Sequence, residues 1–527
     1  QRIHHSGKGN TVFHLHRQGF VAENHRFHRH TAVVFNHGEA EGVHSPTGRS
    51  KQNHLHLTNR FGGRLVGSDA YENAAEWMQY EYKKWGIETY QEEAGEVSVG
   101  FNRGPWFGRL IGGDEPMTLH FATPSYTAGT KGVQRGHVLI EPTTEAELNR
   151  MKHALKGAWV LVSGTNSGWP VGHSLKNDSL RAAIKAENKL VVPYNDSIRR
   201  ANYMNGTNLP LKQLRTFPAL YYDEMVEAGV LGFIQSSAVP IKAGYDRPML
   251  NEQKPDFDHL PEVCDIKLDE NQFAKIYKMA KERRDFWLEF DIRNHFKIGP
   301  IKYNNVIGAI RGSKYPDEYV IISGHLDAFD VATGGVDCGT GIGPMMEAAR
   351  LIALSGAKPK RTILFVAFAA EEFGLLGAQA YVKRHEKELK KISNLFNRDG
   401  GPTPPVGISV PKAMYDDFVK ICEPIKEINP DYPFEVTVAK PRKRPTDFGG
   451  TDATVFAVAG VPTYEFRTSD FKGYNFDYGE IWHTERDLYN KNIPEYQEHT
   501  AVVTAIVALG VANLDHLLSR EGMFIEE

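Results

Sequence analysis

The sequence predicts an α/β protein: a three-layer α/β/α sandwich with a mostly parallel central sheet, plus an inserted β-rich domain. The first observation is that apolar runs of strand length alternate with helical patterns from residue 303 to the C-terminal region. Strands that are separated by helices form parallel sheets, and helices cover both faces of such sheets. The second observation is that histidine, aspartate and glutamate residues close or follow these runs, at the sheet edge where α/β proteins build their sites.

The elements of this sheet region are predicted in chain order from apolar periodicity. The strands are expected at residues 319–323, 362–368, 392–396, 434–438 and 463–466. The helices are expected at residues 342–354, 375–389, 413–421, 453–458 and 494–518.

The part of the chain before residue 301 divides into three regions. Residues 1–56 hold half of the 22 histidines and no sustained apolar period, which predicts a disordered leader. Residues 57–125, with a helix over 69–86, are assigned with residues 301–527 to one sandwich domain. Short β-type runs separated by a long polar stretch rich in Asn, Arg and Pro place the inserted β-rich domain at residues 126–300.

Composition excludes several classes of function. The 62 basic and 65 acidic residues leave a net charge of -3, which supplies no field that would attract nucleic acid or an anionic membrane. No apolar run approaches the roughly 18 residues that a membrane span requires, and no signal-peptide core is present at the start. Cys264, Cys338 and Cys422 lie far apart and are odd in number, which excludes a disulfide framework. Small substrates are the more natural partners.

Six side chains with the chemistry of a zinc hydrolase occur at the predicted strand ends or before the predicted helices. Such an enzyme needs neutral histidine and ionised carboxylate as ligands, an open position for water, and a base beside that water. One sheet can bring the six together although they are distant in sequence. They are His325, Asp337, Glu371, Glu372, Asp399 and His483.

Each of these residues also has an ordinary structural interpretation. The two glutamates precede a helix, whose dipole favours acids in its first turn. Asp337 and Asp452 could cap the helices that follow them. However, six elements in one order at strand ends are hard to obtain from capping alone, and the H-E-x-x-H, G-x-S-x-G and Walker motifs are all missing from the sequence. A metal site is therefore the preferred interpretation.

Over residues 303–518 the chain resembles the di-zinc exopeptidases, which include bacterial leucyl aminopeptidases and glutamate carboxypeptidases. The inserted region resembles a protease-associated domain through Lys156-Gly-Ala-Trp-Val-Leu-Val162 and Ala228-Gly-Val-Leu-Gly-Phe-Ile234. The exopeptidase resemblance rests on motifs in the same order and at similar separations: Gly324-His-Leu-Asp327, Asp337-Cys-Gly-Thr-Gly341, Glu371-Glu372, Arg398-Asp-Gly400, Thr451-Asp452 and His483-Thr-Glu-Arg-Asp487.

The resemblance implies two zinc ions per chain, bridged by Asp337. His325 and Asp399 would complete one zinc site, and Glu372 and His483 would complete the other. It also implies a secreted or periplasmic protein without a membrane span, and it is compatible with a homodimer.

The resemblance further implies the roles of two carboxylates beside the metals. Glu371 would be the general base, which takes a proton from the bridging water, the nucleophile, and later delivers it to the leaving amine. Asp327 would hold the ring of His325, as carboxylates beside ligand histidines often do.

The expected activity is hydrolysis of the peptide bond next to a free terminus of a peptide or dipeptide, as an aminopeptidase, a carboxypeptidase or a dipeptidase. One alternative is a non-catalytic binding protein on the same fold, although every ligand is present. Another is a cyclising acyltransferase that uses a single zinc, although the complete bridging set argues against it. Specificity stays open, since Cys338 has no assigned role and Arg467 could either clamp a substrate carboxylate or pair with Glu465 or Asp470.

Overall fold

The computed structural model describes residues 46–113, 115–172, 175–244 and 260–525. No helix in these ranges combines the length and the apolar character that crossing a bilayer requires. The α-helices are α1 Pro46–Leu55, α2 Asp69–Lys84, α3 Glu145–Met151, α4 Leu175–Asn205, α5 Tyr222–Glu227, α6 Glu270–Lys281, α7 Gly339–Leu354, α8 Leu376–Arg384, α9 Lys412–Cys422, α10 Ile425–Ile428, α11 Ala453–Val458 and α12 Pro494–Ala512.

The strands form three sheets of five, three and eight strands. They are β1 Glu88–Asn102, β2 Trp106–Gly112, β3 Met117–Thr118, β4 Phe121–Ala122, β5 Gln134–Ile140, β6 Ala158–Thr165, β7 Gly232–Ser237, β8 Cys264–Asp269, β9 Phe286–Ile292, β10 His295–Ile310, β11 Tyr315–His325, β12 Arg361–Phe368, β13 Ile392–Asn397, β14 Pro405–Val410, β15 Glu435–Val438 and β16 Phe466–Thr468.

The central sheet has the strand order β1-β10-β12-β11-β13. Strand β11 lies parallel to both β12 and β13, so the carboxyl ends of these three strands meet at one edge. Strand β10 runs antiparallel to β12, and β1 pairs antiparallel with β10 along nearly its whole length. The predicted α/β class is confirmed, and the β1–β10 ribbon makes the sheet mixed.

Helices cover both faces of this sheet, as alternate residues of β12 show. Ile363 and Phe365 belong to a core shared with α2, α7 and α12. Leu364 and Val366 point the other way, into a core shared with α8 and α11. Each such side chain contributes roughly 1.5–3 kcal/mol by leaving water. This is the predicted three-layer arrangement.

The eight-stranded sheet has the order β3-β2-β9-β5-β6-β7-β8-β4 and its own core around Trp159 and Phe290. Strand β2 pairs with β9, so that Leu110 lies opposite Leu288, and β4 pairs with β8. The strands at residues 106–122 therefore belong to this second sheet, and the predicted boundary at residue 125 is wrong. The reason is that their partners lie more than a hundred residues further along the chain.

Helix α4 occupies part of the polar stretch for which no element was predicted, and it continues through Pro193. Three asparagines one heptad apart hold an extended segment against it. Each side-chain amide donates to the carbonyl and accepts from the N–H of one partner residue, at distances of 2.7–3.0 Å. The pairs are Asn188 with Arg215, Asn195 with Lys212 and Asn202 with Leu209.

Helix α1 lies inside the predicted leader, so the prediction of disorder is wrong for residues 46–56; residues 1–45 lie outside the described residues. The helix is held because His54 is only 1% exposed and its Nε2 lies 2.7 Å from the Gly335 carbonyl oxygen. Its Nδ1 lies 3.1 Å from Asn492 Nδ2. The ring packs so closely on α7 that a Cβ added at Gly339 would lie 2.8 Å from Nε2.

Acid is expected to destabilise the protein through His54. Burial lowers the pKa of His54 to about 4, while a histidine in an unfolded chain has a pKa of about 6.5. Between these values the unfolded chain binds more protons, so stability falls as the pH drops through this window, by about 3 kcal/mol at most. Urea unfolding at pH 7 and pH 4.5 should show a smaller acid-induced loss for His54→Gln than for the wild type. The exposed His516→Gln is the control, and equal losses in all three proteins would contradict the assignment.

Candidate metal centre

The parallel strands deliver four of the six predicted side chains to one edge of the central sheet. His325 is the last residue of β11, Glu371 and Glu372 follow β12, and Asp399 follows β13. The remaining two arrive from loops. Asp337 precedes α7, and His483 lies in the loop before α12.

The carboxylate of Asp337 lies between two histidines. Its Oδ1 is 3.1 Å from His325 Nε2, and its Oδ2 is 3.8 Å from His483 Nε2. His325 Nε2 also lies 3.2 Å from Asp399 Oδ1, and His483 Nε2 lies 3.0 Å from Glu372 Oε2. One oxygen of Asp337 thus faces each histidine, and each histidine has one further carboxylate.

The tautomer of His325 favours a cation in this space. Its Nδ1 lies 2.9 Å from the main-chain carbonyl oxygen of Asp327, which can only accept a hydrogen bond. Nδ1 therefore carries a hydrogen, so that in neutral His325 the lone pair of Nε2 faces the oxygens of Asp337 and Asp399. A lone pair that faces carboxylates needs a cation between them, and imidazole nitrogen with carboxylate oxygen is a donor set for borderline divalent metals. The residues fit a metal ion.

The balance of charge at the centre points to the same requirement. Burial raises the pKa of Glu371 well above the usual carboxyl range, and the charges of Asp399 and Glu372 raise it further. Burial raises the pKa of Glu372 in the same way, with Asp337 as the largest neighbouring cause. The pKa of Asp337 itself is lowered, because His325 and His483 outweigh the effect of its burial. Acids outnumber the histidines here, so additional positive charge would stabilise the centre.

Asp452 is a further acid at the centre that sequence reasoning did not assign to it. It is fully buried, and neither carboxylate oxygen has a hydrogen-bond partner among the described residues. Although Asp452 precedes α11, its side chain makes no capping hydrogen bond. The capping position of α7 is occupied by Cys338, and the carboxylate of Asp337 faces His325 and His483 instead. The capping interpretations of Asp337 and Asp452 are therefore wrong.

The carboxylate of Asp327 lies closer to the main chain of the two glutamates than to the ring of His325. Its Oδ1 accepts from the main-chain N–H of Glu371 at 3.2 Å, and its Oδ2 accepts from that of Glu372 at 3.1 Å. The same carboxylate lies 3.7 Å from His325 Nδ1, whose nearer partner is the Asp327 carbonyl. Ala370, just before the glutamates, has a left-handed backbone with φ of 55°. Asp327 thus holds the turn that presents both glutamates to the centre.

Two further residues hold the loop that carries Asp337. Asp487 Oδ1 accepts from the N–H groups of Val336, at 2.6 Å, and of Asp337, at 3.3 Å. The fully buried guanidinium of Arg64 donates to the carbonyls of residues 326, 333 and 334 at 2.7–3.2 Å. Asp487 closes the sequence motif that begins with His483, but no sequence signal distinguished Arg64.

Two further side chains lie beside the centre. The thiol of Cys338 is buried, 3.1 Å from the Arg398 carbonyl oxygen, and could join His325 and Asp399 around a metal ion. Tyr478, which sequence reasoning missed, bonds the Asp337 carboxylate through its hydroxyl group. Burial raises the pKa of Tyr478, so this hydroxyl keeps its proton.

Arg467 pairs with an acid that the sequence analysis did not consider. It lies exposed on β16 of the three-stranded sheet, and its Nη2 donates to the Glu435 carbonyl at 3.2 Å. The Glu435 carboxylate is 3.7 Å away. Its partner is thus Glu435 rather than Glu465 or Asp470.

A sheet edge that gathers histidines and carboxylates around the Asp337 carboxylate is the arrangement expected of a metal-dependent hydrolase. Residues 305–507 match the model of Peptidase family M28. This region of the chain is thus similar to the family, and the protein is a metallopeptidase, as the sequence resemblance implied.

Comparison with individual relatives agrees with this family match. The chain is 27% identical to carboxypeptidase Q of Mus musculus over 378 residues, which cover 68% of this chain and 72% of that protein. It is 34% identical to a probable zinc metalloprotease of Pyrenophora tritici-repentis over 130 residues, which cover 23% of this chain and 29% of that protein. The crystal structure of a peptidase M28 precursor from Shewanella amazonensis SB2B aligns with a TM-score of 0.56 and 20% identity, covering 95% of this chain and 99% of that chain. This last likeness shows the shared fold.

Proposed function

We propose that the protein is a two-zinc exopeptidase that hydrolyses the peptide bond next to a free terminus. The observation that carries the proposal is the Asp337 carboxylate, which turns one oxygen toward each of two histidines. Zinc is the metal that this donor set favours, and one relative bears the name of a zinc metalloprotease. The name carboxypeptidase Q supports cleavage at a terminus.

Under this proposal Asp337 is shared by both metal positions. His325 and Asp399 complete the first, and Glu372 and His483 complete the second. When bound, the metal supplies Lewis acidity for the scissile carbonyl and lowers the pKa of water.

The chain itself supplies the proton transfer and the orientation. Glu371 accepts the proton of the attacking water on its carboxylate and later gives it to the amine that leaves. Asp327 fixes the main chain of Glu371, so that its carboxylate returns to one position. The Tyr478 hydroxyl is placed to donate to negative charge that develops near Asp337.

The proposed metal content is tested by elemental analysis of the purified protein. We expect about two zinc ions per chain. Removal of the metal by a chelator should abolish peptide hydrolysis and lower the melting temperature, because the buried carboxylates lose their counter-charge. Added zinc should restore both properties.

The outcomes of this test separate the alternatives. Near-zero metal with no activation by zinc would favour the non-catalytic binding protein. One zinc with cyclising activity on amino-terminal glutamine would favour the acyltransferase.

We also infer from the resemblance that the eight-stranded sheet is a protease-associated domain, and that the protein acts outside the cytoplasm on peptides or dipeptides. The proposed homodimer is tested by light scattering, which should give twice the 59.2 kDa chain mass.

A further inference from the structure

A segment that follows a strand of the eight-stranded sheet pairs with the loop that carries His483. After β7, Lys242 forms an antiparallel bridge with Thr484. The N–H of Ala243 donates to the His483 carbonyl at 3.2 Å, and the N–H of Glu485 donates to the Ile241 carbonyl at 3.0 Å. A residue of the second sheet's region therefore stands directly beside a proposed metal ligand.

The ammonium group of Lys242 is held on an aromatic face next to His483. Its Nζ lies 4.1 Å from the ring centroid of Trp482, and that ring stacks on His483 with centroids 4.1 Å apart. The Lys242 stem runs along Gly168, where an added Cβ would lie 3.4 Å from Cδ. The Lys242 carbonyl accepts from Asn166 Nδ2 at 2.6 Å. The main chain, the aliphatic stem and the ammonium group of Lys242 are thus all held in place.

Among the residues that the structure describes, this cation has no acidic partner, whereas neighbouring cations have one. No carboxylate of the described ranges forms an ion pair with Lys242. By contrast, Arg486 and Lys491 both pair with Glu480, close by in the chain. Burial lowers the pKa of Lys242. A partly buried, positioned cation beside the loop that carries His483 is suited to an anionic group of a ligand.

We propose that Lys242 binds the free C-terminal carboxylate of the substrate and so directs hydrolysis to the carboxyl end of peptides. This inference rests on the proposed peptidase function. The chemistry recognised is a carboxylate, which an acidic side chain of the substrate could also supply. The other candidate clamp, Arg467, is already engaged with Glu435.

The test compares Lys242→Met, Lys242→Arg and the control Lys278→Met, whose parent side chain is 76% exposed on α6. Each zinc-loaded protein is assayed on three substrates. The first is an N-blocked dipeptide with a free carboxyl group, and the second is its C-terminal amide. The third is a peptide amide that ends in aspartate, so that its carboxylate lies on the side chain and not at the terminus. We expect the wild type and Lys278→Met to prefer the free acid to the amide. Lys242→Met should raise KM for the free acid by about 10- to 100-fold with a smaller effect on kcat. Lys242→Arg should retain most of the preference.

Three outcomes would overturn the inference. The first is an unchanged ratio of free-acid to amide hydrolysis in Lys242→Met. The second is a wild-type preference for peptides with a free amino end. The third is a preference that follows the aspartate side chain of the substrate instead of its terminal carboxylate. Calorimetric binding of the free acid and the amide to Glu371→Gln, with and without Lys242→Met, provides a measurement that does not need turnover. If the wild type hydrolyses no peptide but this binding still depends on Lys242, the proposed function fails and the carboxylate site stands.

Discussion

Glu371→Gln is expected to lower kcat for peptide hydrolysis by roughly 10²- to 10⁴-fold, while the zinc content stays the same. Glutamine has the same size and can accept a hydrogen bond, but it cannot take up the proton of the attacking water. Glu371 is not needed to hold the metal in the proposed assignment, because Glu372 faces His483 at 3.0 Å and Asp399 faces His325. Steady-state kinetics with elemental analysis on the same preparations measures both quantities.

Two matched variants make this result specific. Glu386→Gln, at an exposed position, should leave kcat and zinc content unchanged. Glu372→Gln alters the adjacent glutamate and should reduce zinc content, since the substitution removes a proposed ligand. Unchanged turnover in Glu371→Gln would exclude it as the base, and loss of zinc would make it a ligand instead.

The meeting of the proposed ligand residues could be predicted because parallel strands impose a simple rule. His325, Glu372 and Asp399 follow three neighbouring apolar runs, and the edge formed by β11, β12 and β13 brings them together. Strand ends are visible in sequence because the runs are fully buried and therefore continuously apolar.

The supporting residues could not be predicted in the same way. Asp452 satisfied the pattern of a helix cap, and only the structure shows its carboxylate without a capping bond. Tyr478 reaches Asp337 from a loop with no periodic pattern. Such contacts depend on loop geometry, which sequence spacing does not encode.

The missed elements have equally specific causes. Helix α4 looked like loop because asparagine favours turns and Pro193 suggests a break. Yet Asn188, Asn195 and Asn202 recur every seven residues, a helical spacing that places them on one face. Helix α1 is stabilised by contacts of His54 with residues more than 250 positions away, so its local sequence carried no sign of order.

Arg64→Met is expected to lower the free energy of unfolding by about 3–5 kcal/mol, the range for breaking a buried charged network by removing one partner. The guanidinium has no exposure and donates to three carbonyls of the loops around Asp337. Methionine fills a similar volume but leaves these carbonyls and the nearby charge of Asp487 uncompensated. Urea unfolding of the zinc-loaded protein measures the loss.

The geometry of Arg64 also predicts that a lysine at this position cannot preserve the stability of the protein. Arg64→Lys should remain destabilised, because one ammonium cannot replace the planar fork that reaches Leu326, Thr333 and Gly334 together. Arg109→Met is the control, since its half-exposed ion pair with Glu289 should contribute about 1 kcal/mol or less. A loss in Arg64→Met no larger than in Arg109→Met would mean that the loop holding Asp337 is stable without the guanidinium. Asp487 and His54 would then be sufficient to hold it, through Val336 and Gly335.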